Sequence, residues 1–232
     1  TALIAGGHFR RGAEAADRTY LLDPRGVNAA KARTTQAWAA LGLGQAELAC
    51  ELLVEGLAGG AKVPSGMPIE TVADPAGGPD LRLLVAGDER VSMSELLEEL
   101  GEDLVALAAT DELTARRRIP GLIEGFRFID RPTTAADYIE RMIAAMATPI
   151  RSVHYALVEL LFEAGDEARA RELWAASPFA DESTLEDLLG GGTRQVDAEL
   201  TAFGADLFYT AGEMEELYVA QALALAEAGE RA

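Results

Sequence analysis

Helix-like apolar periodicity broken at short intervals by glycine and proline constrains this chain more than any other feature. Gly6-Gly7, Asp23-Pro24-Arg25-Gly26, Gly42-Leu43-Gly44 and Gly59-Gly60 divide the first sixty residues into short runs. Proline lacks the amide proton a helix interior needs, and glycine favours a left-handed turn, so a helix ends at each break and the chain reverses. Helices are therefore expected at 2–5, 9–22, 28–41 with Asn28 as its cap, and 46–57. Short helices of this kind cannot stand alone and must bury one face against a neighbour. The expected fold is mainly α, built of antiparallel helical hairpins in a superhelix or bundle.

A change of composition interrupts that pattern. Pro64, Pro68, Pro75 and Pro79 fall within sixteen positions, together with Gly66, Gly77 and Gly78. Two β-prone stretches, 69–72 and 81–85, flank the loop Asp74-Pro75-Ala76-Gly77-Gly78-Pro79-Asp80, which reads as a β-hairpin. Two strands alone are marginally stable, so the pair should pack on the helices or gain a third strand near Arg90-Val91. From Ser92 the helical pattern returns, and Ser92 with Glu95 has the spacing of a capping box. Leu96, Leu97, Leu100, Leu104 and Leu107 form an apolar stripe, with a kink expected at Gly101. Thr133 or Thr134 is placed to cap a helix whose Tyr138, Ile139, Met142, Ile143 and Met146 share a face. Further helices are expected at 152–164, 167–177, 183–189, 193–209 and 213–229. The organisation is thus a helical segment 1–62, an insert 63–91, and a helical segment 92–232 forming one compact domain with the first.

Three segments resemble the second half of a tetratricopeptide repeat, a helix pair with a turn glycine, small residues where helices touch, and a closing proline. In the first, Gly7-His8-Phe9 is followed by Gly12, Thr19 and Leu22-Asp23-Pro24. In the second, Leu43-Gly44 is followed by Ala49 and Gly56, with Leu53 and Leu57 at core positions. In the third, Ala164-Gly165-Asp166 is followed by Ala170, Trp174, Ser177 and Pro178. Gly7 and Gly44 lie farther apart than the family's roughly 34-residue period. The resemblance implies a scaffold or adaptor whose concave face grips a partner segment.

Charge limits the partners. A formal charge of −19 repels a phosphate backbone and anionic lipid, so nucleic acid and membrane surfaces are not expected partners. The same field steers cationic partners inward. No charge-free apolar run approaches the ~18 residues of a membrane span, and no signal-like pattern opens the chain, so the cytoplasm is the expected compartment.

The chemical inventory is short. Cys50 is the single cysteine and sits in an apolar helical context, Glu47-Leu48-Ala49-Cys50-Glu51-Leu52-Leu53, which suits a small core residue better than a catalytic thiol. His8 lies at a turn and His154 beside Val153 and Leu157, so both read as structural. Gly42-Leu43-Gly44-Gln45-Ala46-Glu47 begins like a dinucleotide fingerprint but lacks the third glycine and follows a helix rather than a strand. Gly190-Gly191-Gly192-Thr193-Arg194 reads as a loop before a helix. The many acid pairs, Glu98-Glu99 and Glu102-Asp103 among them, read as solvated faces. No catalytic residue, metal ligand set or cofactor is expected.

The unusual local feature is basic. Arg116, Arg117, Arg118, Arg127 and Arg131 stand against only Glu124 and Asp130 in the same stretch. Ile119-Pro120-Gly121 reads as a break, which would leave the triplet at a helix end, where cations complement the dipole. The alternative is an anion or acidic-segment site, because clustered guanidinium groups grip carboxylates or phosphates bidentately. An acidic face of the same chain could be the recipient. The expected function is a non-catalytic protein–protein interaction module of helical-repeat type, with a protein or peptide partner or a second copy. An enzyme or small-ligand binder with an anion-accepting pocket near 116–162, and a structural subunit of an assembly, are the other readings. Phe126, Phe128, Tyr138 and Tyr155 would line such a pocket.

Overall fold

The computed structural model describes residues 2–180 apart from residues 23, 25–27 and 76. The helices expected at 183–189, 193–209 and 213–229, and the loop at 190–194, lie outside the described residues. In chain order come α1 (Ala2–Ala5), α2 (Phe9–Leu22), α3 (Ala29–Gly42) and α4 (Ala46–Ala58). Three strands follow, β1 (Ile69–Val72), β2 (Leu81–Ala86) and β3 (Glu89–Ser92). The helices resume with α5 (Met93–Thr110), α6 (Glu112–Phe128), α7 (Pro132–Ala145), α8 (Arg151–Glu163) and α9 (Glu167–Ala175). The described residues are mainly helical with one small sheet.

Glycine ends helices in the way the punctuation implies. Gly7, Gly44 and Gly165 adopt φ of 78°, 75° and 79°, the left-handed region where a side chain would be strained. Each turn carries the same pair of hydrogen bonds. Gly7 N donates to Ile4 O and His8 N to Leu3 O; Gly44 N donates to Leu41 O and Gln45 N to Ala40 O. Gly165 N donates to Phe162 O and Asp166 N to Leu161 O. This six-residue closure satisfies carbonyls that a helix end leaves open and sends the chain back along the helix it has just left. The small residues lie where helices meet. A Cβ at Gly12 would fall 2.3 Å from Ile4 Cγ1, and one at Gly56 would fall 2.9 Å from Ala30 O. Ala49 and Ala170 are fully buried, while Thr19 is exposed.

The α6–α7 turn has the same closure without glycine. Asp130 N donates to Arg127 O and Arg131 N to Phe126 O, with Asp130 at φ 59°, the one non-glycine residue in that region among the described residues. Aspartate tolerates this conformation better than most residues, yet glycine holds it without steric cost. Because Asp130 is exposed, Asp130→Gly should stabilise by about 0.5 kcal/mol, a rise in thermal midpoint of roughly 1–2 °C. A midpoint that falls would mean the carboxylate itself supports the turn.

The sheet is antiparallel in the order β1-β2-β3, with Ile69 opposite Leu84 and Leu84 opposite Val91. The third strand expected near Arg90-Val91 is present, joined to β2 through Gly87, at φ 64°, and Asp88. Alternation puts Leu84 and Ala86 of β2 on one face, both buried, and that strand packs against α3, α4 and α5. The insert is therefore part of the same core as the helices.

Several local expectations are corrected. Pro120 does not break the chain: α6 runs unbroken from Glu112 to Phe128, and Arg116–118 sit in mid-helix, not at an end. An interior proline costs about 3 kcal/mol or more. Ile119, Leu122 and Phe126 are wholly buried beside it and Ile123 nearly so. At roughly 1.5–3 kcal/mol for each such side chain, burial outweighs the lost hydrogen bond. Gly101 does not end the helix. It is buried in a continuous α5, where a Cβ would meet the Tyr138 ring at 2.8 Å, so its role is close approach of α5 to α7.

Capping also differs from expectation. Ser92 is the residue before α5, but its Oγ lies 3.0 Å from Ser94 Oγ and caps no backbone amide. Asn28 precedes α3 without a side-chain cap, and α7 begins after Arg131 with Pro132 in its first turn rather than at a threonine cap. Aspartates make the side-chain caps. Asp111 accepts from Thr114 N at 3.2 Å and Asp166 from Arg169 N at 3.2 Å.

Candidate functional site

The basic stretch 116–131 does not converge. Successive residues of a helix point about 100° apart, so Arg116, Arg117 and Arg118 fan around α6 rather than forming one fork. Arg118 Nη2 lies 3.2 Å from Glu51 Oε1 and ties α6 to α4. Arg117 is exposed, near the capping carboxylate of Asp111. Hydrogen bonds from Thr114, first its hydroxyl and then its amide, hold that carboxyl below the usual range, with a smaller contribution from Arg117. Arg116 is half-buried. Arg131, beyond the helix, reaches Glu98 of α5 at 3.8 Å.

Arg127 is the best-held of the five. Its Nη2 and Nε donate to the two oxygens of Glu163 at 2.6 and 2.9 Å, a bidentate pair from α6 to α8. Nη1 donates to Glu124 Oε1 at 2.7 Å, and Glu159 Oε1 stands 3.4 Å from Nη2. Burial opposes the charge on this guanidinium, but the hydrogen bonds it donates to Glu163 and Glu124 and the field of Glu163 and Glu159 outweigh it and push its pKa up. The acidic recipient for Arg118, Arg127 and Arg131 is therefore this chain's own α4, α5, α6 and α8.

Other ion pairs repeat that pattern. Arg141 of α7 grips Glu102 of α5 with both nitrogens, at 2.7 and 2.6 Å, and Tyr138 Oη donates to the same carboxylate at 3.3 Å. Arg141 holds the Glu102 carboxyl below its ordinary range, chiefly by hydrogen bonding. Arg169 of α9 pairs with Asp137 at 2.9 Å and with Glu140, both on α7. Partners so far apart in sequence leave no local signature, so the sequence did not reveal them.

The aromatics near the basic stretch go to separate places. Phe126 stacks on Tyr138 inside the core, with ring centroids 5.8 Å apart. Arg82 of the sheet lies over the Phe128 ring at 4.5 Å. Tyr155 stacks on Trp174 across the α8–α9 hairpin at 5.0 Å, and Arg151 donates to its hydroxyl. A shallow, open groove of about 220 Å³ lies elsewhere, between α1, α2 and α3, and is lined by Leu3, Gly12, Ala16, Thr19, Lys31 and Thr35 among others. Its volume is below the ~300 Å³ at which pockets for small ligands begin.

Cys50 is buried, and burial, reinforced by the neighbouring Glu51, pushes its thiol up to about 12. At neutral pH it is a thiol, not a nucleophilic thiolate. His154 Nδ1 lies 2.9 Å from Ile150 O, and its ring meets Phe179 edge-on at 5.2 Å, a buried structural setting. His8 is exposed. Among the described residues no group of three or more His, Cys, Asp or Glu is placed to hold a metal ion, and no helix is long and apolar enough to cross a membrane.

Compared with protein-family models, with curated proteins and with solved structures, the chain gives no match. A functional reading therefore rests on the chain's own residues.

Proposed function

We propose that this chain is a non-catalytic interaction module of tetratricopeptide-like build, an adaptor or scaffold that grips a protein or peptide. The supporting observation is the identical closure of three helix pairs at Gly7, Gly44 and Gly165, each with the same φ and the same two backbone hydrogen bonds. Stacked helix pairs expose long curved faces, which is how helical repeats present a surface to a partner. The −19 charge gives the partner its chemistry: a basic segment is drawn to such a surface, and the attraction weakens as salt screens it.

The folded chain, immobilised and exposed to a lysate of its source, should retain a protein that also binds saturably when purified and titrated by calorimetry. Retention should fall when salt is raised from 0.05 to about 0.5 M, where the screening length shrinks below about 5 Å. A retained set identical to that of heat-denatured bait would overturn the proposal.

A further inference from the structure

The strongest unexplained arrangement is the single guanidinium of Arg127 shared by three carboxylates, Glu124 of α6 and Glu159 and Glu163 of α8. One positive charge faces three negative ones in a partly buried seam. Two of the acids are well served, Glu163 at 2.6 and 2.9 Å and Glu124 at 2.7 Å. Glu159 is the third in line, 3.4 Å from Nη2, while lying beside two other acids. Its 3.4 Å contact is the longest of the three, and the neighbouring charges of Glu163 and Glu124 disfavour its full ionisation.

Among the described residues, the other ion pairs of the neighbouring elements are made away from this seam. On α7, Asp137 and Glu140 are taken up by Arg169 of α9, and Arg141 by Glu102 of α5. Arg131, in the turn after α6, faces Glu98, and Arg82 of the sheet lies on the Phe128 ring. The other charges of α9, Glu167, Arg171 and Glu172, are exposed, as is Arg151 at the start of α8. The seam joins α6 to the α8–α9 hairpin, which otherwise packs on the bundle through α7.

We propose that this seam is a pH-responsive clasp on the α8–α9 hairpin, under charge tension at neutral pH and tightened when Glu159 takes up a proton. Protonation leaves Arg127 matched to Glu163 and Glu124 and turns Glu159 into a neutral neighbour. Burial, first, and then the field of Glu163 and Glu124 push the Glu159 carboxyl above the ordinary glutamate range, against the pull of Arg127. A raised folded-state pKa means that the folded protein binds this proton more readily than the unfolded chain. The stabilisation is therefore complete below the ordinary glutamate range and is lost as pH rises through the folded value. Glu102 and Asp111 are shifted the other way, so their contribution is lost only as pH falls below the ordinary range. In mildly acidic solution the clasp tightens before those pairs fail. The inference is independent of any partner.

The test is the thermal midpoint of the full chain between pH 5 and 7.5, for the wild type, Glu159→Gln and Arg127→Met. Glutamine mimics the protonated carboxyl, so Glu159→Gln should melt about 2–4 °C above wild type at pH 7.5, with the gap closing toward pH 5. Amide exchange in α8 should slow in the same variant at pH 7.5. Arg127→Met, which leaves three carboxylates facing one another, should melt below wild type at pH 7.5 and recover part of the difference on acidification. A Glu159→Gln midpoint at or below wild type at pH 7.5, or a gap that does not change with pH, would overturn the clasp.

Discussion

Phe126→Ala is expected to destabilise the fold by about 3–5 kcal/mol, the usual range for deleting a buried phenyl ring. For a chain of this size that corresponds to a fall in thermal midpoint of roughly 6–20 °C. The ring is wholly buried in α6 and stacked on Tyr138 of α7. Its loss removes both transfer energy and a ring–ring contact, and leaves a void. The void cannot close easily, because glycines already bring α6 hard against its neighbours at Gly125, and α5 meets α7 through Gly101. Tyr138→Phe is the matching control. It keeps the stack and removes only the hydroxyl that donates to Glu102 at 3.3 Å on the solvent side, so it should change stability by less than about 1 kcal/mol. Circular dichroism melts of the two variants would separate these effects, and a Phe126→Ala loss no larger than that of Tyr138→Phe would show that the seam between α6 and α7 repacks.

Where local chemistry and burial agree, the sequence was readable. The helices at 9–22 and 46–57 and the strands at 69–72 and 81–85 were legible because an apolar period was bounded by glycine or proline. The left-handed turns at Gly7, Gly44 and Gly165 followed from the same residues. Pro120 was misread because a local rule met a larger tertiary term: burial of Ile119, Leu122 and Phe126 holds the helix through it. Gly101, read for a kink, is also where α5 closely approaches the Tyr138 ring of α7. Ser92, Asn28, Thr133 and Thr134 have side chains able to cap, yet Asp111 and Asp166 make the caps, since capping depends on backbone geometry that composition does not encode. The candidate site was the least legible part. Arg116, Arg117 and Arg118 are neighbours in the chain and diverge on the helix. The acids that take up Arg118, Arg127 and Arg131 come from α4, α5, α6 and α8, and only Glu124 lies close to its partner in sequence.

Gly125 and Gly121, one helical turn apart on α6, should respond oppositely to the same added methyl group. Glycine in a helix interior costs up to about 1 kcal/mol relative to alanine, so each position stands to gain that much from Gly→Ala if space allows. At Gly121 space allows it: the nearest atom to a new Cβ is Val54 Cγ2 at 3.4 Å, an ordinary contact. Gly121→Ala should therefore be neutral or stabilising by up to about 1 kcal/mol. At Gly125 the new Cβ would lie 2.5 Å from Leu97 Cδ2 and 2.8 Å from Val54 Cγ1. Leu97 is fully buried and Val54 nearly so, which leaves both side chains little room to withdraw. Overpacking of this kind costs about 1–3 kcal/mol and cancels the propensity gain, so Gly125→Ala should lose stability. Gly125→Val puts two methyl groups more than Gly125→Ala into the same gap. It must drive α6 away from α4 and α5 together, at a cost of about 3 kcal/mol or more, beyond the ordinary overpacking range. Urea unfolding should rank the set with Gly121→Ala at or above wild type, then Gly125→Ala, then Gly125→Val. A Gly125→Ala variant as stable as Gly121→Ala would mean that α4 and α5 part freely around α6, and the close three-helix crossing would no longer account for glycine at this position.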